Sequence, residues 1–109
     1  MSDRILLAFC ACPNEELASA LAKTLVTEGL AACVTLLPGL GSFYLWEGTL
    51  QRDTEVMLLI KTAEDRFDTL SARLRDLHPY DLPEIIALPV THGLPDYLQW
   101  VLACTSPAS

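Results

Sequence analysis

The segment of residues 78–86 constrains the fold more than any other part of the chain, because a helical pattern ends there and a strand pattern begins. Pro79 disfavours helical geometry at the preceding residue, so the helix should end at or just before His78. Pro83 lacks an N–H and suits the entry of a strand better than its interior. The connector is therefore stiff and holds His78, Tyr80 and Glu84 in a fixed relation, either as a site or as a rigid loop with solvated polar tips.

Hydrophobic patterns on both sides of this connector predict alternating strands and helices. Consecutive apolar residues indicate strands buried on both faces, and apolar residues three and four apart indicate helices. The predicted elements are strand one from Arg4 to Ala11, helix one from about 14 to 28, strand two from Ala31 to Leu37 with a separate extended segment from Ser42 to Trp46, strand three from Thr49 to Thr62, helix two along Phe67, Leu70, Leu74 and Leu77, strand four from Glu84 to Val90, and a short last helix along Leu94, Tyr97, Leu98 and Val101. We expect Cys12 or Asn14 to cap helix one and Thr62 to cap helix two.

This order of elements is β-α-β-β-α-β followed by a terminal helix, the α+β pattern of a ferredoxin-like sandwich with a long hairpin between strands two and three. In that topology strands one and three are central and strands two and four are edges. Pro38 and Pro89 fall in the two predicted edge strands, where proline is tolerated. The length of 109 residues fits a single domain, residues 1–109.

The predicted subunit leaves apolar surface uncovered. Both main helices pack on one face of the sheet, yet strands one and three are apolar on both faces. The hairpin arm from Ala32 to Trp46 extends about 50 Å at ~3.3 Å per residue, which is longer than a globule of this size. An overhanging ribbon that carries Tyr44 and Trp46 needs a neighbour, so we expect a homo-oligomer.

Charge and composition exclude several classes of function. The net charge of -7 argues against nucleic-acid binding, which needs a basic face. A hydrophobic content of 51% argues against a disordered tail. No apolar run approaches the roughly 20 residues of a membrane span, and the first residues lack a signal-peptide pattern, so we expect a cytoplasmic protein without membrane insertion. Three of the four cysteines lie in apolar patterns, which is typical of free buried thiols.

Several motifs together resemble a known family. They are Ala31-Ala32-Cys33, the turn Tyr44-Leu45-Trp46-Glu47-Gly48, Glu55, Lys61-Thr62, and the segment His78-Pro79-Tyr80-Asp81-Leu82-Pro83-Glu84-Ile85-Ile86-Ala87-Leu88-Pro89. In these motifs, and over about residues 5 to 102, the chain resembles the CutA family of divalent-cation tolerance proteins. The resemblance implies a ferredoxin-like subunit assembled into a homotrimer with its sheets facing inward, much like PII-type regulators. It also implies a cytoplasmic location and a link to copper and other divalent metals.

The resemblance also implies a metal site. Copper-binding members that this chain resembles have a cysteine near the end of strand one, matched here by Cys10, and two consecutive histidines before Pro-Tyr. Only the second histidine is present, as His78, because the first position is Leu77. Glu84 matches a family carboxylate. Cys12 adds a thiol that can serve as a further soft-metal ligand, and Cys10 can alternatively be a plain core residue.

Other residues are candidates for a cleft between subunits, namely Tyr44, Trp46, Lys61 and Tyr80, although packing alone also accounts for the aromatic ones. We expect no enzymatic activity, since acylphosphatases of similar topology need an arginine on a glycine-rich loop after strand one, and residues 11–14 contain neither. The alternative to copper binding is a PII-like signalling or scaffold trimer that binds a small ligand in its clefts without a direct metal role. A phosphate-bearing ligand would need a basic cleft, and the chain has only seven Lys and Arg residues.

Overall fold

A computed structural model describes residues 3–107 as a four-stranded sheet with three helices. The elements are β1 Ile5–Cys12, α1 Glu15–Thr27, β2 Cys33–Trp46, β3 Thr49–Ala63, α2 Phe67–Leu77, β4 Ile85–Val90 and α3 Pro95–Thr105, with a 3-10 turn at Glu64–Arg66 before α2. This order confirms the predicted α+β sandwich. None of the helices within residues 3–107 has the length and hydropathy needed to span a bilayer.

The sheet is antiparallel throughout, with the strand order β2-β3-β1-β4. β1 and β3 are therefore central and β2 and β4 are edges, as predicted. Pro38 and Pro89 both lie on edge strands, where a missing N–H costs least. The pairing of β2 with β3 shifts register between Leu37 and Leu40. Pro38-Gly39 was expected to interrupt strand two. Instead, the two residues form a β-bulge at this register shift, and the strand continues to Trp46.

The main core lies between α1, α2 and one face of the sheet. Alternate residues of the central strands, such as Ala8, Leu58 and Ile60, meet Leu25 and Leu74 from the helices, and all five are 0% exposed. Asn14 caps α1, since its Oδ1 accepts the Leu17 N–H at 2.8 Å. Burial of these side chains fixes the register of each strand, because a slip by one residue would turn its apolar set outward.

The opposite face of the sheet, which we call the open face, is only partly covered. α3 packs over one end of it, where its Val101 meets Ile5 and Ala32. Beyond α3 the open face exposes three apolar side chains of the edge strands, Leu37, Ile86 and Leu88, which are 46%, 55% and 55% exposed. The prediction that helices leave apolar surface uncovered is thus confirmed for this chain, apart from the area that α3 covers.

The β2–β3 hairpin extends beyond the rest of the sheet. Fourteen residues of β2 at ~3.3 Å each span roughly 46 Å, close to the longest dimension of the molecule, 47 Å. Its tip is the turn at Glu47 and Gly48, whose φ angles of 51° and 80° match the two-residue turns that follow the twist of a hairpin. Phe43, Leu45 and Leu50 near the tip are each at least 67% exposed.

Besides the expected break at Pro38-Gly39, two local predictions were wrong. Thr62 does not cap α2, because its hydroxyl is buried and donates to the Leu30 carbonyl at 2.7 Å. The 3-10 turn takes its place at the start of α2. Leu77 was expected on the buried stripe of helix two but is 38% exposed. The helix ends at Leu77, and the next residue, His78, is the one that turns inward.

Candidate metal centre and the adjacent groove

Three soft donors meet inside the core at the end of α2. Cys10 and Cys12 are two residues apart on β1, so both point to the helix-covered face. His78 follows α2 in extended geometry, with φ −81° and ψ 137°, as Pro79 requires. The Sγ atoms of both cysteines and a ring nitrogen of His78 all lie within 4.8 Å of one another, and all three residues are buried. We call these three residues the soft-donor cluster.

Two backbone contacts fix the His78 ring. The backbone nitrogen of Tyr80 lies 3.2 Å from His78 Nδ1 and donates its hydrogen to it, so Nδ1 acts as an acceptor. Nε2 then carries the proton and donates to the Ala11 carbonyl at 2.8 Å. Because the backbone engages both ring nitrogens, the ring is held in one orientation. A metal ion can bind it only by replacing one backbone partner, at a cost of about 0.5–1.5 kcal/mol for a typical hydrogen bond.

The two thiols influence each other. Hydrogen bonding with Cys12, then burial, raises the pKa of Cys10, and the charges of Cys12, Glu84 and Glu55 act in the same direction. The same hydrogen bond lowers the pKa of Cys12. A buried pair of this kind carries one thiolate far more readily than two, so a cation would be needed to stabilise both.

The chemistry of the donors fits a soft metal ion. Two sulfurs and an imidazole suit copper(I) or zinc, whereas magnesium and calcium take oxygen ligands. Sulfur and nitrogen donors within 4.8 Å of one another can converge on a single ion after small side-chain movements. The approach of Cys10 and His78 at one end of the sheet agrees with the sequence-based expectation, although β1 continues two residues beyond Cys10.

The remaining predicted site residues lie elsewhere. Tyr44, Trp46, Tyr80 and Glu84 line a groove of about 850 Å³ between the hairpin and the loop before β4. Glu84 is exposed and is not a member of the soft-donor cluster. Lys61 does not line the groove, and its ammonium donates to Thr35 Oγ1 at 2.5 Å on the open face.

Glu55 was predicted only as part of the family resemblance and not as a site residue, yet it also lines the groove. Its carboxyl is buried, with the residue only 8% exposed, and Tyr80 Oη donates to Oε2 at 3.3 Å. Burial, followed by the charge of Glu55, raises the pKa of Tyr80 to about 12, so the phenol stays protonated as a donor. The signals in the sequence were its place among the family motifs and its position directly before a long apolar run.

The fold is that of a small α+β protein, and its soft-donor cluster brings together three groups that could hold a metal ion. Its family is shown by sequence, because the profile described as CutA1 divalent ion tolerance protein matches residues 6–104. The chain belongs to this family.

Named relatives agree with this assignment. The divalent-cation tolerance protein CutA of Thermus thermophilus is 49% identical over 89 residues, covering 82% of this chain and 86% of the relative. Protein CutA of Mus musculus is 44% identical over 102 residues, and the chain spans only 58% of that relative's length.

Solved structures show the same fold. CutA from Xylella fastidiosa superposes with a TM-score of 0.92 at 45% identity, covering 96% of this chain and all of the other. A protein titled periplasmic divalent cation tolerance protein CutA, from Archaeoglobus fulgidus, superposes with a TM-score of 0.91 at 31% identity, covering 94% of this chain and 99% of the other.

Proposed function

We propose that this chain contributes to divalent-cation tolerance by binding copper directly, with Cys10 and His78 as ligands and Cys12 as a third. The observation that carries the proposal is the convergence of these three buried donors within 4.8 Å. The family's association with divalent ions supports a metal as the ligand. Cys12 offsets the lack of a histidine at position 77, where this chain has leucine.

The donor set favours copper(I) over copper(II). Thiolates are soft ligands that select copper(I), and copper(II) can oxidise a thiol instead of binding to it. Glu84 acts as a nearby negative charge rather than as a direct ligand, since it is exposed and its charge already acts on Cys10. A bound metal ion would relieve the repulsion among the two ionised sulfurs and the carboxylates of Glu84 and Glu55.

We further propose that the functional unit is a cytoplasmic homotrimer without enzymatic activity. The exposed apolar residues of the open face and of the hairpin tip support an assembly that covers them. All four cysteines are free, which suits a reducing compartment. Light scattering should give about three times the 12.0 kDa chain mass, and a monodisperse monomer would refute the assembly.

Copper(I) titration of reduced protein against a competing chelator tests the metal role. Cys10→Ser and His78→Ala should each weaken binding by at least tenfold, which is about 1.4 kcal/mol. Cys104→Ser is the matched control, because Cys104 is an exposed thiol outside the cluster and its loss should change nothing. Equal affinities in the parent and both cluster variants would place the site elsewhere. A parent affinity weaker than ~1 mM would end the metal proposal in favour of a structural or ligand-sensing trimer.

The groove favours a second candidate function, a trimer that binds a small ligand. Its volume of about 850 Å³ suits a small organic molecule, and its aromatic side chains offer apolar contact. Carboxylates in its wall argue against the phosphate-bearing ligands of PII-type regulators.

A further inference from the structure

The two backbone contacts of the His78 ring decide which of its nitrogens is open to a metal ion. Nε2 carries the proton that it donates to the Ala11 carbonyl, and Nδ1 presents its lone pair to the Tyr80 N–H. A metal ion needs a nitrogen lone pair. A bond through Nε2 would shift the proton to Nδ1, where it would face the Tyr80 N–H with no acceptor between them. The lone pair available for ligation is therefore the one on Nδ1.

The contact with Ala11 is the one that ligation through Nδ1 preserves. Pairing of β1 with β4 ends at Cys10 and Ile85, so the imidazole donates to a carbonyl one residue past the end of this ladder. Ala11 is buried, and loss of a bond to a buried acceptor is costly. A histidine that ligates a metal through one nitrogen usually donates its other N–H to a carbonyl or carboxylate, which fixes the ring. The Ala11 carbonyl has this position beside His78.

The Tyr80 amide is then the partner that has to move. Its nitrogen lies 3.2 Å from Nδ1, whereas a ligated zinc ion lies about 2.0–2.1 Å from a histidine nitrogen. An ion on the same lone pair leaves no room for the amide at its present distance. Because the Ala11 carbonyl anchors the ring, the backbone at Tyr80 gives way.

Tyr80 holds the loop of residues 79–84 to the rest of the molecule, and we call its contacts the Tyr80 latch. Its N–H donates to His78, its ring lies against the imidazole with the ring centres 4.6 Å apart, and its hydroxyl donates to Glu55 on β3. Within residues 3–107, no other side chain of this loop forms a hydrogen bond. The hydroxyl contact of 3.3 Å is longer than the usual ~2.7–2.8 Å of such bonds, so this part of the latch is weak.

We propose that copper(I) binding opens the Tyr80 latch, so that the loop of residues 79–84 moves away from β3 when Nδ1 of His78 becomes a ligand. This inference rests on the proposed copper function and adds a conformational response to it. The movement breaks the contact between the Tyr80 hydroxyl and Glu55. Coupled equilibria are reciprocal, so a weaker latch favours copper binding.

Nuclear magnetic resonance of the reduced, isotope-labelled full chain tests the latch, because copper(I) is diamagnetic. On addition of copper(I), the His78 Nδ1 resonance should shift while Nε2 keeps its proton. Amide hydrogen exchange at Tyr80 should become at least tenfold faster, because its N–H loses its acceptor. His92 is the internal control, since it is exposed and lies outside the soft-donor cluster, and its ring resonances should stay unchanged.

The outcomes separate this inference from the proposed function. Coordination through Nε2 would overturn the latch and leave the metal centre standing, as would copper binding with unchanged amide exchange at Tyr80. Absence of copper(I) binding by the parent would overturn both.

Tyr80→Phe tests the coupling from the other side. It removes the hydroxyl contact with Glu55 but keeps the ring and the amide. Competition with a chelator should therefore show a copper(I) affinity about two- to tenfold higher than that of the parent, as expected for one hydrogen bond. Tyr97→Phe is the matched control, because Tyr97 lies on α3 beside Trp100 and its hydroxyl has no contact with the latch. Equal affinities of Tyr80→Phe and the parent would refute the coupling.

Discussion

Replacement of Leu74 by alanine tests whether the helix-covered core is correctly identified. Leu74 is 0% exposed and packs in the main core from the middle of α2. The substitution removes three carbons, and burial of each contributes about 0.8 kcal/mol, so the transfer term is about 2.4 kcal/mol. The cavity left behind adds to this, and the expected loss in the free energy of unfolding is roughly 2–5 kcal/mol.

Leu77→Ala is the matched control for this substitution. It is the same chemical change three residues later on the same helix, at a position that is 38% exposed. Urea unfolding followed by circular dichroism, at one fixed protein concentration, should show a much lower midpoint for Leu74→Ala than for Leu77→Ala, with similar slopes. Equal midpoints for the two variants would mean that α2 presents a different face to the sheet.

Two further predictions concern titratable groups. With a colorimetric thiol reagent, the exposed Cys104 should react fastest and the buried Cys10 and Cys12 only on unfolding, whereas equal rates would contradict the burial of the cluster. In an absorbance titration, Tyr80 should ionise near pH 12, above its usual value of about 10, and Tyr80→Phe should remove that step. Between these pH values the folded protein keeps the Tyr80 proton that the unfolded chain loses, so the free energy of unfolding should fall as the pH rises from about 10 to about 12. Ionisation of all tyrosines in one absorbance step near pH 10 would contradict this prediction.

The sequence predicted the order of elements because apolar runs and breakers alternate cleanly along it. It could not predict how α2 begins, because the Thr62 hydroxyl is taken by the Leu30 carbonyl, 32 residues away. It also could not show that β2 passes through Pro38-Gly39, because the bulge depends on pairing with β3. Local signals define the elements and some of their ends, such as the Asn14 cap of α1, while contacts distant in sequence decide how α2 begins and that β2 continues.

The candidate metal centre was predictable in part. Cys10 and His78 were expected to approach, because α2 leads into β4 and β4 pairs with β1. Membership of Cys12 in the cluster follows from alternation along β1 together with the burial of both thiols. The environment of Glu55 was not predictable, because Tyr80 reaches it from a loop 25 residues later in the chain.

X-ray absorption spectroscopy of the reduced, copper(I)-loaded protein tests the proposed metal centre most directly. The account predicts a copper shell of two sulfur atoms and one nitrogen atom, from Cys10, Cys12 and His78. In Cys12→Ser the shell should lose one sulfur, and in Cys104→Ser it should stay the same, because the exposed thiol is outside the cluster. A shell of nitrogen and oxygen alone, or one that Cys12→Ser leaves unaltered, would contradict the assignment of copper to the soft-donor cluster.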